Sequence, residues 1–490
     1  MITSHFSRIL ISIVALLATI QTTINGQTTT EWPNLPLLSI ETIDGQEPTA
    51  SVVYPPEGCI GVSILSEHVP GHLVMTLGDK TLYDSGDYVK GESGMRMKIR
   101  GNTSGAFKNQ HPYKLKLSKK ADLLNIDNNI KSKDWALLSM DVSNKAMKNG
   151  RTSISLIVGL ATCRCLEMPW TPKTRLVNLV LNGKYKGLYH LIETVERADC
   201  RIKTDKSGFI IENNAYWWKE GEAYFKTDHQ HQAMGYTFKY PDADDLDASL
   251  KDAIKEYINK VEDALYNNTG INEYIDIESF AKWVLIHDIL GTYDSAGSNM
   301  YLYKESFGNQ ESEDTKLKMG TPWDFDSMFM TSDNEWGRHH TDWSNLFIYP
   351  QLFKNNEFCQ KYLELYNKYS DKVYPYIEAE LKKLKQEDGE AFDQSVKLHV
   401  KEYPGSCENT LDEQIDDVLS HLKTRLKTLE TLTAELTKET SIKSVATGNN
   451  KLIKRVNIYG IDYTNTDESQ LPKNIYIEKY SNGTVKKVYK

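Results

Sequence analysis

No run of about 18 apolar residues occurs anywhere in the 490-residue chain, so no ordinary membrane-spanning helix is expected in the mature protein. Positive charge is also in short supply. Lys and Arg number 58 against 67 Asp and Glu, for a formal charge of −9. A dedicated nucleic-acid binder carries the opposite footprint, and no nucleic-acid partner is expected. Cysteine is scarce. Cys163 and Cys165 form a CxC without the second pair that a zinc site needs. With Cys59, Cys200, Cys359 and Cys407 they suggest buried thiols or one structural bridge. There is no internal repeat, no long low-complexity run and no Gly-x-Gly-x-x-Gly. What remains, 40% hydrophobic and 26% charged, is the balance of a globular protein too long for a single core.

Arg8 precedes Ile9–Ile20 (ILISIVALLATI), and small and polar residues follow. That layout reads as a secretory signal peptide over residues 1–26 and predicts a secreted or cell-surface protein. Residues 27–90 read as a β-rich segment, 91–436 as the main domain, 437–451 as a polar linker and 452–490 as a small all-β tail. Met95–Ile99 (MRMKI) and Tyr113–Leu117 (YKLKL) alternate with period two and predict half-buried strands. Thr76–Tyr83 is expected as another. Asn182-Gly183 between two apolar runs predicts a hairpin. Asn144–Leu160, Leu250–Tyr266 and Ile277–Leu290 have helical spacing. Asn355–Leu384 and Leu411–Leu436 are longer helical patterns, the first broken or kinked at Pro375. Strands first and helices later indicate an α+β protein of two lobes.

Acids and amides then appear where strands disfavour them. Thr292–Lys304 reads TYDSAGSNMYLYK and places Asp294 five residues before Asn299. Thr321–Phe329 reads TPWDFDSMF and adds Asp324 and Asp326. Magnesium takes hard oxygen ligands, commonly one or two carboxylates completed by phosphate oxygens. Asp-x-x-x-x-Asn followed by a further Asp is a phosphotransfer spacing. In it the first Asp serves the acceptor hydroxyl while the Asn and the second Asp hold the metal. Met300–Tyr303 and Leu317–Met319 are expected to pair and draw these groups together. A lysine on an early strand, Lys116 or Lys114, suits the nucleotide phosphates. Each residue also has a plain reading, as lysine on a solvated strand face or Asp and Asn capping turns.

In order, MRMKIRGNTS, HPYKLKLSKK, DWALLSM with Asp141 and Arg151 following, VNLVLNGKYKGLYHLIETV, YDSAGSNMYLYK and TPWDFDSMF resemble the CotH-type spore-coat kinase family. The resemblance makes residues 91–436 a CotH-like domain and implies an atypical protein-kinase-like fold of two lobes. It also implies transfer of the ATP γ-phosphoryl group to protein hydroxyls with Mg2+ or Mn2+, the substrate being the protein itself or a surface protein. Carried over by position, it makes Asp294 the catalytic aspartate and Asn299 and Asp324 the metal ligands, with Asp326 beside them. Lys116 becomes the phosphate lysine, with Lys114 as the alternative, and Arg100 a phosphate or structural contact. Glu193 falls either near the nucleotide base or in a salt bridge with a lysine. The final LPKNIYIEKYSNGTVKKVYK is similar to the sorting tails of type IX-secreted bacterial proteins, with Asn474 in place of their glycine.

The chain departs from ordinary kinases at Tyr293 and Asp326, has Ser298 where similar sequences often have His, and has no glycine loop of the usual form. A second function therefore stays open: a catalytically weak pseudokinase acting as a surface adhesin or a glycan- or protein-binding module through the aromatic stretch Tyr216–Tyr240. A cation-dependent hydrolase built on Asp324 and Asp326 is a third, without a positioned histidine to support it.

Overall fold

The computed structural model describes residues 32–126, 130–140, 153–292, 297–307, 316–329, 347–446, 452–480 and 485–490. The N-terminal part carries β1 (Leu37–Thr42), β2 (Ser51–Val53), β3 (Ser63–Leu65), β4 (Val69–Leu77), β5 (Lys80–Asp84), β6 (Met95–Ile99), β7 (Tyr113–Ala121), β8 (Ser132–Ser139), β9 (Thr174–Leu181) and β10 (Lys184–Glu193). β1 pairs in parallel with β9 and antiparallel with β4, which closes β1-β9-β10-β8-β7-β6-β4 into a barrel. Period-two alternation explains the closure. Met95, Met97, Ile99, Tyr113, Leu115, Leu117, Trp135 and Leu137 all point into one buried core, and the residues between them face outward. At Gly71, β4 meets Thr42 of β1 on one side and Met95 of β6 on the other. A Cβ there would lie 2.7 Å from the Glu41 carbonyl oxygen, so only glycine allows this approach.

A second sheet follows, in the order β12-β13-β11-β14-β15: β11 (Phe209–Asn214), β12 (Tyr224–Phe225), β13 (Gly235–Tyr240), β14 (Met300–Lys304) and β15 (Lys318–Met319). The expected hairpin is present, with Leu302 opposite Met319. The helices are α1 (Thr103–Phe107), α2 (Ser155–Cys165), α3 (Ala248–Tyr266), α4 (Ile271–Tyr274), α5 (Ile277–Leu290), α6 (Tyr349–Leu352), α7 (Asn356–Glu402) and α8 (Leu411–Ala446). Asp247, Asp276 and Asn355 cap α3, α5 and α7 by accepting from backbone N–H groups one turn on. α5 is apolar almost all round and correspondingly buried. α7 packs on α2, α5 and β10.

Four expectations differ from the structure. Thr76–Tyr83 is not one strand, because Gly78 turns the chain between β4 and β5. β4 itself begins with Val69-Pro70-Gly71, residues that punctuate rather than extend when read locally. Pro375 does not end its helix, which runs unbroken from Asn356 to Glu402. Tyr369, Val373, Ile377 and Leu381 are buried at four-residue intervals around it, and that packing outweighs the roughly 3 kcal/mol an internal proline costs. The stretch expected as a linker is helical as far as Ala446. Of the expected helix Asn144–Leu160, residues 144–152 lie outside the described residues, and the observed helix continues to Cys165. All six cysteines are free thiols. No helix among the described residues is long and apolar enough to cross a membrane.

Residues Thr431–Lys490 form a second compact unit. Its strands β16 (Leu452–Asn457), β17 (Ile475–Tyr480) and β18 (Val485–Tyr489) make a meander. Arg455 donates to Glu478 at 2.6 Å on its buried face, beside Tyr476.

Candidate functional site

Within the first unit, the outer face of the barrel and the second sheet enclose a cleft of about 800 Å³. From the barrel come Lys98 and Arg100 at the end of β6, Leu138 of β8 and His190 of β10. From the second sheet come Glu212, Asn214, Lys239 and Tyr301. Glu212 and Asn214 share a face of β11 by strand alternation, and Tyr301 stands opposite Glu212 across the β11–β14 ladder. Lys239 enters through a bulge. β13 places Phe238 opposite Ile211 and Tyr240 opposite Ile210, so Lys239 is an extra residue.

Glu212 organises this wall. One carboxylate oxygen accepts from Lys239 Nζ at 2.8 Å and the other from the Asn299 backbone N–H at 2.9 Å. Asn299 has φ +61°, a left-handed conformation that asparagine tolerates. Its side-chain amide donates to Asp324 Oδ2 at 3.3 Å. Asp324 Oδ1 accepts from the Asp326 N–H at 3.0 Å, and Lys108 lies 3.8 Å from the half-exposed Asp326 carboxylate. Phe325 between them turns inward. Its ring stacks near His287, with centroids 6.2 Å apart, and lies flat against α2, where a Cβ on Gly159 would fall 2.2 Å from it. An interior helical glycine costs about 1 kcal/mol, and here it makes room for that ring.

Burial acts to lower Lys239, Arg100, Lys98 and His190 alike, and their neighbours oppose it or add to it. It acts to lower Lys239, but the Glu212 carboxylate outweighs it and holds the lysine above its ordinary value. It lowers Arg100, opposed by Tyr301, Asp324 and Glu212. The Arg100 guanidinium also lies 5.6 Å from the Trp323 ring centroid. Burial lowers Lys98, with Lys114 adding repulsion. His190 is pushed down to about 4 by burial, opposed by its bond to the Ser153 carbonyl. Neutral, it donates that bond at 2.9 Å.

Of the residues singled out in the sequence, Arg100, Asn299, Asp324 and Asp326 all line the cleft. Asp294 lies outside the described residues, in the short stretch between Thr292 and the cleft-lining Gly297. Lys114 and Lys116 stand further along the barrel's outer face and do not line the cleft; Lys114 is paired with Asp134 at 2.9 Å. Glu193 is 1% exposed, accepts from the Lys173 backbone N–H at 2.9 Å and sits 3.4 Å from Arg201. It is a salt-bridge partner, though of an arginine, and it is not in the cleft. In the aromatic stretch, the half-buried Trp217 and Trp218 donate their indole N–H groups to the Ala233 and Ile60 carbonyls.

Among the cleft residues that escaped the sequence reading are Lys98, Glu212 and Lys239. Glu212 had a signal, an acid inside the apolar run FIIE. Lys98 sits in the same alternating pattern as Lys114 and Lys116, which local sequence cannot rank. Lys239 depends on a bulge with no sequence mark.

The family described as CotH kinase protein matches residues 97–429, about two thirds of the chain. That span contains every cleft residue named above. No curated protein matches the chain.

Proposed function

We propose that this chain, which belongs to the CotH kinase family, is an exported, two-lobed phosphotransferase that moves the ATP γ-phosphoryl group to a protein hydroxyl. One observation carries the reading. Asn299 and Asp324 meet at 3.3 Å in a cleft whose other walls bring in cationic side chains, Lys98, Arg100 and Lys239 among them. Among the described residues no three His, Cys, Asp or Glu side chains gather into a ready-made metal cage. A carboxylate and a carboxamide completed by phosphate oxygens is nevertheless a donor set that Mg2+ accepts. Asp324 and Asn299 would hold the ion, with Asp326 beside them. Bound there, it would offset the charge of the phosphates during transfer.

The chain's own groups supply the rest. Lys98, Arg100 and Lys239 are cations for the phosphate oxygens. Glu212 fixes both Lys239 and the backbone of Asn299, so cation and amide are held before substrate arrives. Leu138, Met140 and Leu156 form an apolar wall suited to a purine. Asp294 is the group that orients the acceptor hydroxyl and takes its proton.

The test is incubation of the full chain with γ-labelled ATP and Mg2+ or Mn2+, beside Asp294→Ala. Label on the protein or on an added acceptor, absent in the variant, is the expected result. No label together with no ATP-induced rise in Tm would overturn the reading and favour a surface-binding pseudokinase.

A further inference from the structure

The outer face of β6 and β7 carries a cluster of cations of which the proposed phosphotransfer uses only Lys98. Arg96 stands directly opposite Lys116, and Lys98 directly opposite Lys114. Their neighbours Met95, Met97, Leu115 and Leu117 are buried in the barrel, so all four cations share the outward face. Like charges facing each other across two strands destabilise a sheet. Asp134, 2.9 Å from Lys114, is the one acid within ion-pair distance of the four among the described residues. The sequence is acidic overall, at −9, so the cluster does not reflect composition. His68, beside the strip, is pushed down to about 4, first by burial and then by Lys98, Arg96, Lys114 and Lys116. The strip begins at the cleft, which Lys98 lines, and runs away from it along the strands.

We propose that this four-cation strip binds an acidic segment of the protein substrate in extended form, leading its acceptor hydroxyl into the cleft. The proposal rests on the phosphotransferase reading of that cleft. The spacing matches such a ligand. The two rows of cations are two residues apart along their strands, roughly 7 Å, and carboxylates on alternate residues of an extended peptide repeat at the same interval. A bound carboxylate would also relieve the repulsion between each facing pair.

The test uses the full chain and two fluorescein-labelled peptides. One carries a serine followed by glutamate at every second position, and the other has lysine at those positions. Anisotropy without nucleotide reads binding, and labelled ATP reads transfer. The expected result is at least tenfold tighter binding of the glutamate peptide, weakening with salt. Arg96→Glu should reduce that affinity about tenfold and leave ATP binding unchanged. This variant pairs Arg96's strand position with Lys116, so it should fold at least as well as wild type. Equal binding of the two peptides would overturn the proposal. So would loss of ATP binding in Lys116→Glu with peptide affinity intact, which would assign the strip to the nucleotide, or a preference for vesicles of anionic lipid over the glutamate peptide. Selective binding of the glutamate peptide with no transfer to any acceptor would retain the strip and refute the phosphotransferase reading alone.

Discussion

Two lysine–carboxylate pairs of nearly equal length occupy the two sheets. Lys114 and Asp134 meet at 2.9 Å on the barrel, and Lys239 and Glu212 at 2.8 Å in the cleft. Distance does not separate them; surroundings do. The Asp134 side chain is 17% exposed and that of Glu212 7%. Asp134 stands opposite Lys116 at the last pair before the β7–β8 register shifts, whereas Lys239 is itself the extra residue of a bulge. Glu212 also holds the backbone of Asn299, which in turn contacts Asp324. An ion pair on a strand face is a local convenience, but one whose carboxylate also holds the Asn299 backbone helps to build the cleft.

The largest expected effect lies at the end of that chain of contacts. Asp324→Ala should remove the Mg2+·ATP-induced rise in Tm and lower transfer at least about a hundredfold. Asp294→Asn should keep the rise in Tm and lose transfer if, as proposed, its group serves the hydroxyl rather than the nucleotide. Equal ATP affinity in Asp324→Ala and wild type would contradict the assignment.

The comparison itself is tested by breaking each pair. Glu212→Ala strands the Lys239 charge and frees the Asn299 N–H, and should cost about 3 kcal/mol by chemical denaturation together with weaker ATP binding. Asp134→Asn should cost less than about 1 kcal/mol. Similar losses from the two would erase the distinction between the pairs.

Gly159→Ala pushes a methyl group into the Phe325 ring. It should cost about 1–3 kcal/mol and weaken Mg2+·ATP binding, because Phe325 anchors the segment carrying Asp324 and Asp326. Adding Phe325→Leu should restore part of both losses, whereas a purely additive double variant would deny the seat this role.

A smaller effect follows from His190. Its folded value of about 4 lies below the ordinary 6.5, so between those limits the unfolded chain binds the proton and the folded chain does not. Stability therefore falls as pH drops through that window, by up to about 1.4 kcal/mol per unit from this group. Tm measured from pH 7 to pH 4 should fall less steeply in His190→Asn. An unchanged slope would mean that His190 is not the neutral group described.

Much of this was legible in the chain because it is written at short range. MRMKI and YKLKL alternate, and their apolar members do fill the barrel. TYDSAGSNMYLYK and TPWDFDSMF carry acids in apolar company, and Asn299, Asp324 and Asp326 do share one cleft. Val69-Pro70-Gly71 was illegible because its strand character comes from partners on both sides, β1 and β6, rather than from its own propensities. The break expected at Pro375 is absent for a similar reason, since burial of its neighbours overrides the local penalty.

By itself, then, the sequence determined the periodicities and the chemical types at the site: which residues face a core, and that a carboxylate, an amide and nearby lysines would be available. Only the tertiary structure decided which of the equivalent lysines reaches the cleft, that Glu193 serves Arg201 instead, and that Glu212 ties Lys239 to Asn299. The reason is physical. Side-chain alternation is set by each residue's own backbone, whereas barrel closure, a bulge and a shared carboxylate exist only between segments far apart in the chain.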